Sequence, residues 1–342
     1  MKYKCLIVKT SSLGDVLHLM PALTDVLSHR NDVVFDWVVE SSFAEMVRWH
    51  PAVNKIIPCE LRKWRKNPFK YRAEIKKFKV NIQAEKYDYV IDAQGLLKSA
   101  WVAKQARGEK YGLSWSSLRE PLASLFYQHK ISVAEGQHAI LRLRQLFAKI
   151  FDYELIANAP IDYGLSYQWK ANCSKQILFL HGTTWVTKFW VDEHWIALSQ
   201  FLEKHRYEIL LPWGSDKEKQ TADRIAQKCH NARVLPPMNL SELAKLFTQV
   251  EAVVAVDTGL SHVAAACGVP IVGVYGATDA KLTGALGERS HHLQSQLDCS
   301  PCLKRQCRIS KDVFAPCQMS ITPNQVLDVL LSLKNSGQTK NG

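Results

Sequence analysis

Short apolar runs rich in β-branched residues alternate with helical stretches along most of this chain. The clearest case is the stretch 251–276. Val253, Val254 and Val256 lead into the polar turn Asp257-Thr258-Gly259. A small-residue segment, 260–267, follows and is closed by Gly268 and Pro270; a second apolar run, 271–275, ends at Gly276. This is strand, turn, short helix and strand, with strands suited to a parallel sheet buried on both faces. Ligands of such sheets sit beyond the carboxyl ends of the strands, where Asp257, Thr258 and Gly259 fall. The helix beginning there turns free N–H groups and a positive dipole end outward, which suits a phosphate. Asp257, His262 and the Gly and Pro breaks exclude a membrane span.

The same alternation predicts strands at 5–8, 33–39, 53–58 and 87–91 in the first half. Helices are expected at 16–27 with a kink at Pro21, at 42–50, from Gly95 to about 106, at 118–127 and at 139–151. Residues 157–174 show no periodicity and contain Pro160, Gly164 and Asn172, so the domain boundary is placed there. A new alternation follows: strand 177–180, loop 181–188, helix 192–205, strand 207–212, helix 215–229, strand 233–235 and helix 240–250. A helix at 323–333 and a frayed tail close the chain. Two such runs predict an α/β protein of two doubly wound, Rossmann-like domains facing across a cleft. The expected limits are 1–165 and 175–320, with a C-terminal helix at 321–335 and a flexible tail at 336–342.

Composition narrows this only a little. The 342 residues are 47% hydrophobic and 22% charged, ordinary for a soluble globular protein. The formal net charge of +12 points to a polyanionic partner: nucleic acid, an anionic membrane surface or a phosphorylated substrate. The start lacks a signal peptide, and no apolar stretch spans a bilayer, so a cytoplasmic location is expected. The nine cysteines then read as mostly reduced thiols.

Candidate chemistry clusters at the turns after strands. Asp15, in Ser11-Ser12-Leu13-Gly14-Asp15, reads either as a helix N-cap or as a general base. Thr183, Thr184 and Lys188 offer the hydroxyls and ammonium a diphosphate requires, or form a solvated loop. Glu218 fits a ribose contact or a first-turn helix acid, and Met238 a base-stacking residue or core filler. His262 lies one turn into the helix after Gly259, as a donor to substrate or a core histidine. Neither the dinucleotide fingerprint nor the P-loop pattern occurs, which argues against a nicotinamide-dependent oxidoreductase. Cys299, Cys302, Cys307 and Cys317 have spacing short of a paired zinc motif, and free thiols are expected. Between Arg62 and Lys79 cations alternate with Trp64, Phe69, Tyr71 and Phe78. That mixture fits single-stranded nucleic acid, an anionic glycolipid, or an amphipathic helix with buried aromatics.

Several segments together carry a family likeness: Lys9-Thr-Ser-Ser-Leu-Gly-Asp-Val-Leu-His18, Phe35-Asp-Trp-Val-Val-Glu40 and Ile91-Asp-Ala-Gln-Gly95. Arg119-Glu-Pro-Leu-Ala-Ser-Leu-Phe-Tyr127, Leu211-Pro-Trp-Gly214 and Val256-Asp-Thr-Gly-Leu-Ser-His262 complete the set. In these the chain resembles the type I lipopolysaccharide heptosyltransferases, GT-B-fold glycosyltransferases that use ADP-heptose. The resemblance implies an acceptor-binding first domain and an ADP-sugar-binding second domain. It makes Asp15 the catalytic base and gives Lys188 a catalytic part at the donor diphosphate, with Thr183 and Thr184. It assigns Glu218 to the ribose, Met238 to the adenine, and Asp257, Thr258, Gly259 and His262 to the ADP-sugar. Arg62, Arg65, Lys66 and Arg119 become the contacts to an acidic acceptor. The implied reaction is inverting transfer of heptose onto a Kdo sugar of Kdo2-lipid A. It takes place at the cytoplasmic face of the inner membrane, on a peripheral, monomeric enzyme with no cofactor, metal or nucleic acid. A sister enzyme acting on an already heptosylated core, and a non-catalytic nucleic-acid-binding protein, remain the alternatives.

Overall fold

The computed structural model describes residues 2–156, 159–170, 174–310 and 314–338, with side chains as far as 333 in the last helix. Residues 157–158 and 171–173 of the expected linker, Asn172 among them, and the 339–342 end of the expected tail lie outside the described residues. The chain divides into two compact units, Met1–Ser166 and Tyr167–Gly342. In the first, β1 (Tyr3–Val8), α1 (Leu13–Leu17) and α2 (Met20–His29) precede β2 (Val33–Glu40), α3 (Ala44–Val47) and β3 (Val53–Cys59). Then come α4 (Leu61–Lys66), α5 (Arg72–Gln83), β4 (Lys86–Asp92), α6 (Leu97–Gln105), β5 (Arg107–Leu113), β6 (His129–Ile131) and α7 (Ala139–Phe151).

The second unit opens with β7 (Gln176–Leu180), α8 (Asp192–Lys204), β8 (Glu208–Leu211), α9 (Asp216–Ala226), β9 (Ala232–Val234) and α10 (Leu240–Phe247). It continues with β10 (Ala252–Val256), α11 (Gly259–Ala266), β11 (Ile271–Tyr275), α12 (Ala280–Thr283) and β12 (Ser290–Gln294). Two helices end it, α13 (Pro316–Met319) and α14 (Pro323–Gln338), the latter running past the expected stop at 333.

Among the described residues each unit holds one six-stranded parallel sheet. The orders are β3-β2-β1-β4-β5-β6 and β9-β8-β7-β10-β11-β12. Both follow the 3-2-1-4-5-6 winding of nucleotide-binding sheets. The order reverses between β1 and β4, and again between β7 and β10. Loops leave these neighbouring strands toward opposite faces, so each reversal opens a crevice at the strands' carboxyl ends.

Burial explains why the central strands were legible. Every residue of β10 and β11 is buried. A Val or Ile fully removed from water in such a strand contributes roughly 1.5–3 kcal/mol. Two charged groups buried in the first unit, Asp36 and Arg144, are paired. Asp36, in mid β2, accepts from the Tyr87 hydroxyl at 2.9 Å and the Asn54 amide at 3.0 Å. Arg144 of α7 forks onto Asp25 of α2 at 2.6 and 3.0 Å, locking the two helices together.

Four expectations change. The single kinked helix at 16–27 is two helices, and Pro21 sits in the first turn of α2, where its missing N–H costs nothing. The helix at 42–50 is a 3-10 turn, Ser41–Phe43, followed by the short α3. The helix at 118–127 is a tight 3-10 segment, Pro121–Phe126, which ends where the Tyr127 hydroxyl donates to buried Asp92 at 2.6 Å. Strands β5, β6 and β12 complete the sheets without any long apolar run.

His50 gives the fold a pH dependence. Its Nδ1 accepts from the Ala52 N–H at 3.1 Å, which puts the ring proton on Nε2, 3.0 Å from Thr24 Oγ1. Burial lowers its pKa to about 4, against the pull of the Asp162 charge. The unfolded chain therefore binds this proton more readily between pH 4 and the ordinary 6.5. Stability from this group is complete above pH 6.5 and drains away as the pH falls to 4, by about 3 kcal/mol. Urea denaturation across that range should show the slope, and His50→Gln should flatten it.

Candidate active site

In the second unit the site grows from the ends of β7 and β10, the strands flanking the reversal. Val256 ends β10, and the next residue, Asp257, is only 7% exposed. A carboxylate so placed needs partners. Lys188 Nζ lies 2.7 Å from its Oδ2, and the Thr278 hydroxyl donates to the same oxygen at 2.5 Å. Thr183 Oγ1 donates to the Asp257 carbonyl at 3.0 Å. The loop after β7 is thus tied to the loop after β10 by two separate bonds across the crevice. The Lys188 ammonium also lies 4.4 Å from the centre of the Trp185 ring, and Arg305 stands 5.3 Å from that ring. An ammonium carries three donors, and Asp257 uses one.

Thr184 is exposed in the same loop. Thr258 is the N-cap of α11, Gly259 its first residue, and His262 is buried one turn on. Glu218 stands in the first turn of α9 and accepts from the Gly214 N–H at 2.8 Å. Gly182 leaves room for it, since a Cβ there would push the Glu218 carboxylate aside. Below them His181 bonds the Glu218 carbonyl at 3.0 Å through Nε2. Met238 is half-buried in the loop after β9.

The first unit builds its own constellation at the β1/β4 reversal. Asp15 is not the N-cap that spacing allowed. Ser12 caps α1, and Asp15, three residues on, reaches back, its Oδ2 accepting from the Ser12 N–H at 2.8 Å and the Ser12 hydroxyl at 2.7 Å. That is the acid's half of a capping box. Gln94, from the loop after β4, accepts from the N–H groups of Thr10 (2.9 Å) and Ser11 (3.2 Å) and donates to the Ser11 carbonyl at 2.6 Å. Lys98 donates to Ser11 Oγ at 3.1 Å, and buried Lys9 to the Ala93 carbonyl at 2.9 Å. Burial pushes the Lys9 ammonium below its usual range, while the Asp15 and Asp92 charges pull it back.

Asp92 anchors this loop. It accepts from Gln94 N–H, Gly95 N–H, Ser99 Oγ and Tyr127 Oη, all within 3.0 Å. Gly95 takes φ +70, a left-handed turn that glycine adopts freely. Burial drives the Asp92 carboxyl up, and these donors oppose it.

Arg62, Arg65, Lys66 and Arg119 are exposed. The first three belong to α4, where Glu40 accepts from the Arg62 N–H at 3.2 Å. Trp64 and Phe78 of the basic-aromatic stretch are instead core residues, with rings 5.2 Å apart. Cys299, Cys302, Cys307 and Cys317 are free thiols, and among the described residues no three His, Cys, Asp or Glu side chains group as metal ligands would.

Sequence reasoning passed over Thr278, His181, Gln94 and Lys98. Thr278 carried a usable signal: a hydroxyl just past the end of β11, the strand next to β10.

Both sheets have the winding of nucleotide-binding folds, with a polar constellation at each reversal, an arrangement glycosyltransferases share. The chain belongs to glycosyltransferase family 9 (heptosyltransferase), whose pattern matches residues 75–312. Its relatives narrow the kinship. It is 46% identical over 310 residues to lipopolysaccharide heptosyltransferase 1 of Pseudomonas aeruginosa, covering 89% of this chain and 87% of that one. Identity to the Escherichia coli K12 protein of the same name is 45% over 292 residues, covering 83% and 91%. Among solved structures it resembles E. coli heptosyltransferase WaaC with ADP, at a TM-score of 0.85 and 40% identity, covering 96% of this chain and 99% of that one. The same protein with ADP-2-deoxy-2-fluoro heptose gives 0.83 and 39%, with the same coverage. The two sheets agree with the GT-B fold of these enzymes.

Proposed function

We propose that the protein transfers L-glycero-D-manno-heptose from ADP-heptose to a Kdo hydroxyl of Kdo2-lipid A, with inversion. It does so in lipopolysaccharide inner-core assembly, as a monomer at the cytoplasmic face of the inner membrane. The observation that carries this reading is the Lys188–Asp257–Thr183 constellation at the β7/β10 reversal, seen beside relatives solved with ADP and an ADP-heptose analogue. Lys188 is oriented by Asp257 and keeps donors for a diphosphate, supported by Thr183, Thr184 and the start of α11 at Thr258 and Gly259. Glu218, Met238 and His262 hold the ribose, the adenine and the sugar side of the donor. ADP-heptose is a co-substrate, and the reading requires no cofactor or metal.

Asp15 takes the proton of the acceptor hydroxyl as that oxygen bonds to the anomeric carbon, on the face opposite ADP. The bond from that carbon to the diphosphate oxygen breaks, and its electrons leave with ADP. Lys188 and the α11 N–H groups stabilise the charge that grows there. Arg62, Arg65, Lys66 and Arg119 bind the acidic acceptor. No helix among the described residues is long and apolar enough to cross a membrane, and the exposed cations suit an anionic surface.

The deciding assay is ADP release from ADP-heptose with Kdo2-lipid A, set against an acceptor that already bears heptose. Faster turnover of the heptosylated acceptor would move the protein to the sister activity. Lys66→Ala or Arg62→Ala should raise KM for the acceptor about 10- to 150-fold, the worth of a charge-assisted contact of about 1.5–3 kcal/mol. KM for ADP-heptose should stay within about twofold. An equal loss for the donor would remove these residues from the acceptor site.

A further inference from the structure

The helix α4 separates two cavities of opposite character. One, about 430 Å³, is lined by Arg62, Lys63, Lys66 and Lys70, with Glu40 and Glu60 among them. The other, about 840 Å³, is walled by Trp64, Pro68, Ile75, Leu97 and Trp101 from α4, the turn after it, α5 and α6. Its size falls within the roughly 300–1,000 Å³ of ligand pockets. Arg65 and Lys98 also line it, as does Glu120. The Glu120 carboxylate accepts from the Leu97 N–H at 2.8 Å and so fixes the start of α6 beside the groove. Leu97 is 43% exposed and Pro68 is exposed, so the apolar wall faces water. The neighbouring 3-10 segment leaves Leu122 and Leu125 exposed as well.

An apolar groove of ligand-pocket volume, open to solvent and rimmed by cations, is a candidate binding surface. Its cations, and the cationic cavity on the other face of α4, restrict the occupant. A neutral apolar ligand would have no use for Arg65 and Lys98 beside the groove or for four cations across the helix. A nucleotide would not need so long an apolar wall. An anionic amphiphile uses both: carboxylates or phosphates meet the cations, and a hydrocarbon chain covers Trp101, Leu97 and Ile75.

We propose that this groove holds an acyl chain of the anionic glycolipid acceptor, while the cations of α4 hold its charged head. The proposal rests on the acceptor reading above and extends it from the sugar to the lipid. The groove makes acylation a determinant of acceptor affinity. Each methylene taken out of water favours binding about fourfold.

The test compares acylated Kdo2-lipid A in detergent with its fully deacylated glycan phosphate, at saturating ADP-heptose. Two exposed groove positions are changed without altering charge, as Leu97→Gln and Pro68→Gln. Each should raise KM for the acylated acceptor about tenfold and leave the deacylated acceptor within about twofold of wild type. Equal effects on both acceptors, or none on either, would overturn the proposal. Independently, an acylated acceptor brominated along its chains should quench wild-type tryptophan fluorescence, and Trp101→Phe should remove much of that quenching. Quenching that Trp101→Phe leaves unchanged would place the chain elsewhere. Binding of wild type, lost in the uncharged Pro68→Gln, to anionic phospholipid vesicles free of acceptor would overturn acceptor capture in favour of general membrane insertion. If wild type turns over neither acceptor, the acceptor reading fails, and the quenching experiment, which needs no turnover, still decides the groove.

Discussion

Asp15→Asn should leave the protein folded and still binding ADP-heptose while turnover falls about 10²–10⁴-fold, the usual contribution of a positioned general base. The amide keeps the shape, and its oxygen can still accept the Ser12 N–H that the carboxylate accepts at 2.8 Å. What it loses as a structural group is a charge near a helix start, worth about 0.3–1 kcal/mol at most, and α1 is a helix of five residues. What it loses as a chemical group is the ability to take a proton. The loss should therefore appear in kcat, with little change in either KM and a melting temperature within a few degrees of wild type. A variant that melts early yet turns over normally below its melting point would leave Asp15 as half of a capping box and nothing more.

Lys188→Met should fail in two separable ways. It leaves Asp257, 7% exposed, with the Thr278 hydroxyl but without its cation. Breaking a buried ion pair from one side costs about 3–5 kcal/mol, and the remaining hydroxyl puts this case near the low end. It also removes the ammonium assigned to the departing diphosphate, for a fall of about 10²–10³-fold in kcat. Adding Asp257→Asn separates the effects. With the stranded charge gone, the double variant should regain most of the stability and none of the turnover. Thermal melts and single-turnover kinetics well below the melting temperature would show both. Normal turnover by folded Lys188→Met would reduce the lysine to a structural tie between two loops.

The strands that form both sheet centres were legible because burial on both faces demands unbroken β-branched runs, as in 253–256 and 271–275. Strand β5 escaped notice because Arg107-Gly-Glu-Lys-Tyr-Gly-Leu113 carries charges and glycines and is only partly buried. Strand β12, at a sheet edge, is Ser-His-His-Leu-Gln. Neither needs the apolar pattern that marks a central strand. At the site, the turns after strands identified Lys188, Asp257 and Thr183 singly. Their bonds to each other join positions about 70 residues apart, and local spacing carries no information about such pairs. The capping of α1 was misplaced for a different reason. Ser12 and Asp15 are both good first-turn residues, and only the reciprocal bond shows which of them is the cap.

The repeated strand order has an evolutionary consequence. Each unit makes its own seat from the ends of its own strands, and Thr183, Lys188, Asp257 and Thr278 all stand in the second unit. Substitutions in α4 and substitutions around Asp257 then act on different sheets, and their free-energy costs should add. If α4 meets the acceptor and the second sheet holds the donor, as proposed, a lineage carrying such a protein can drift toward a new acceptor by trading surface cations in one half. Throughout that drift the other half remains under unchanged selection for the same sugar nucleotide.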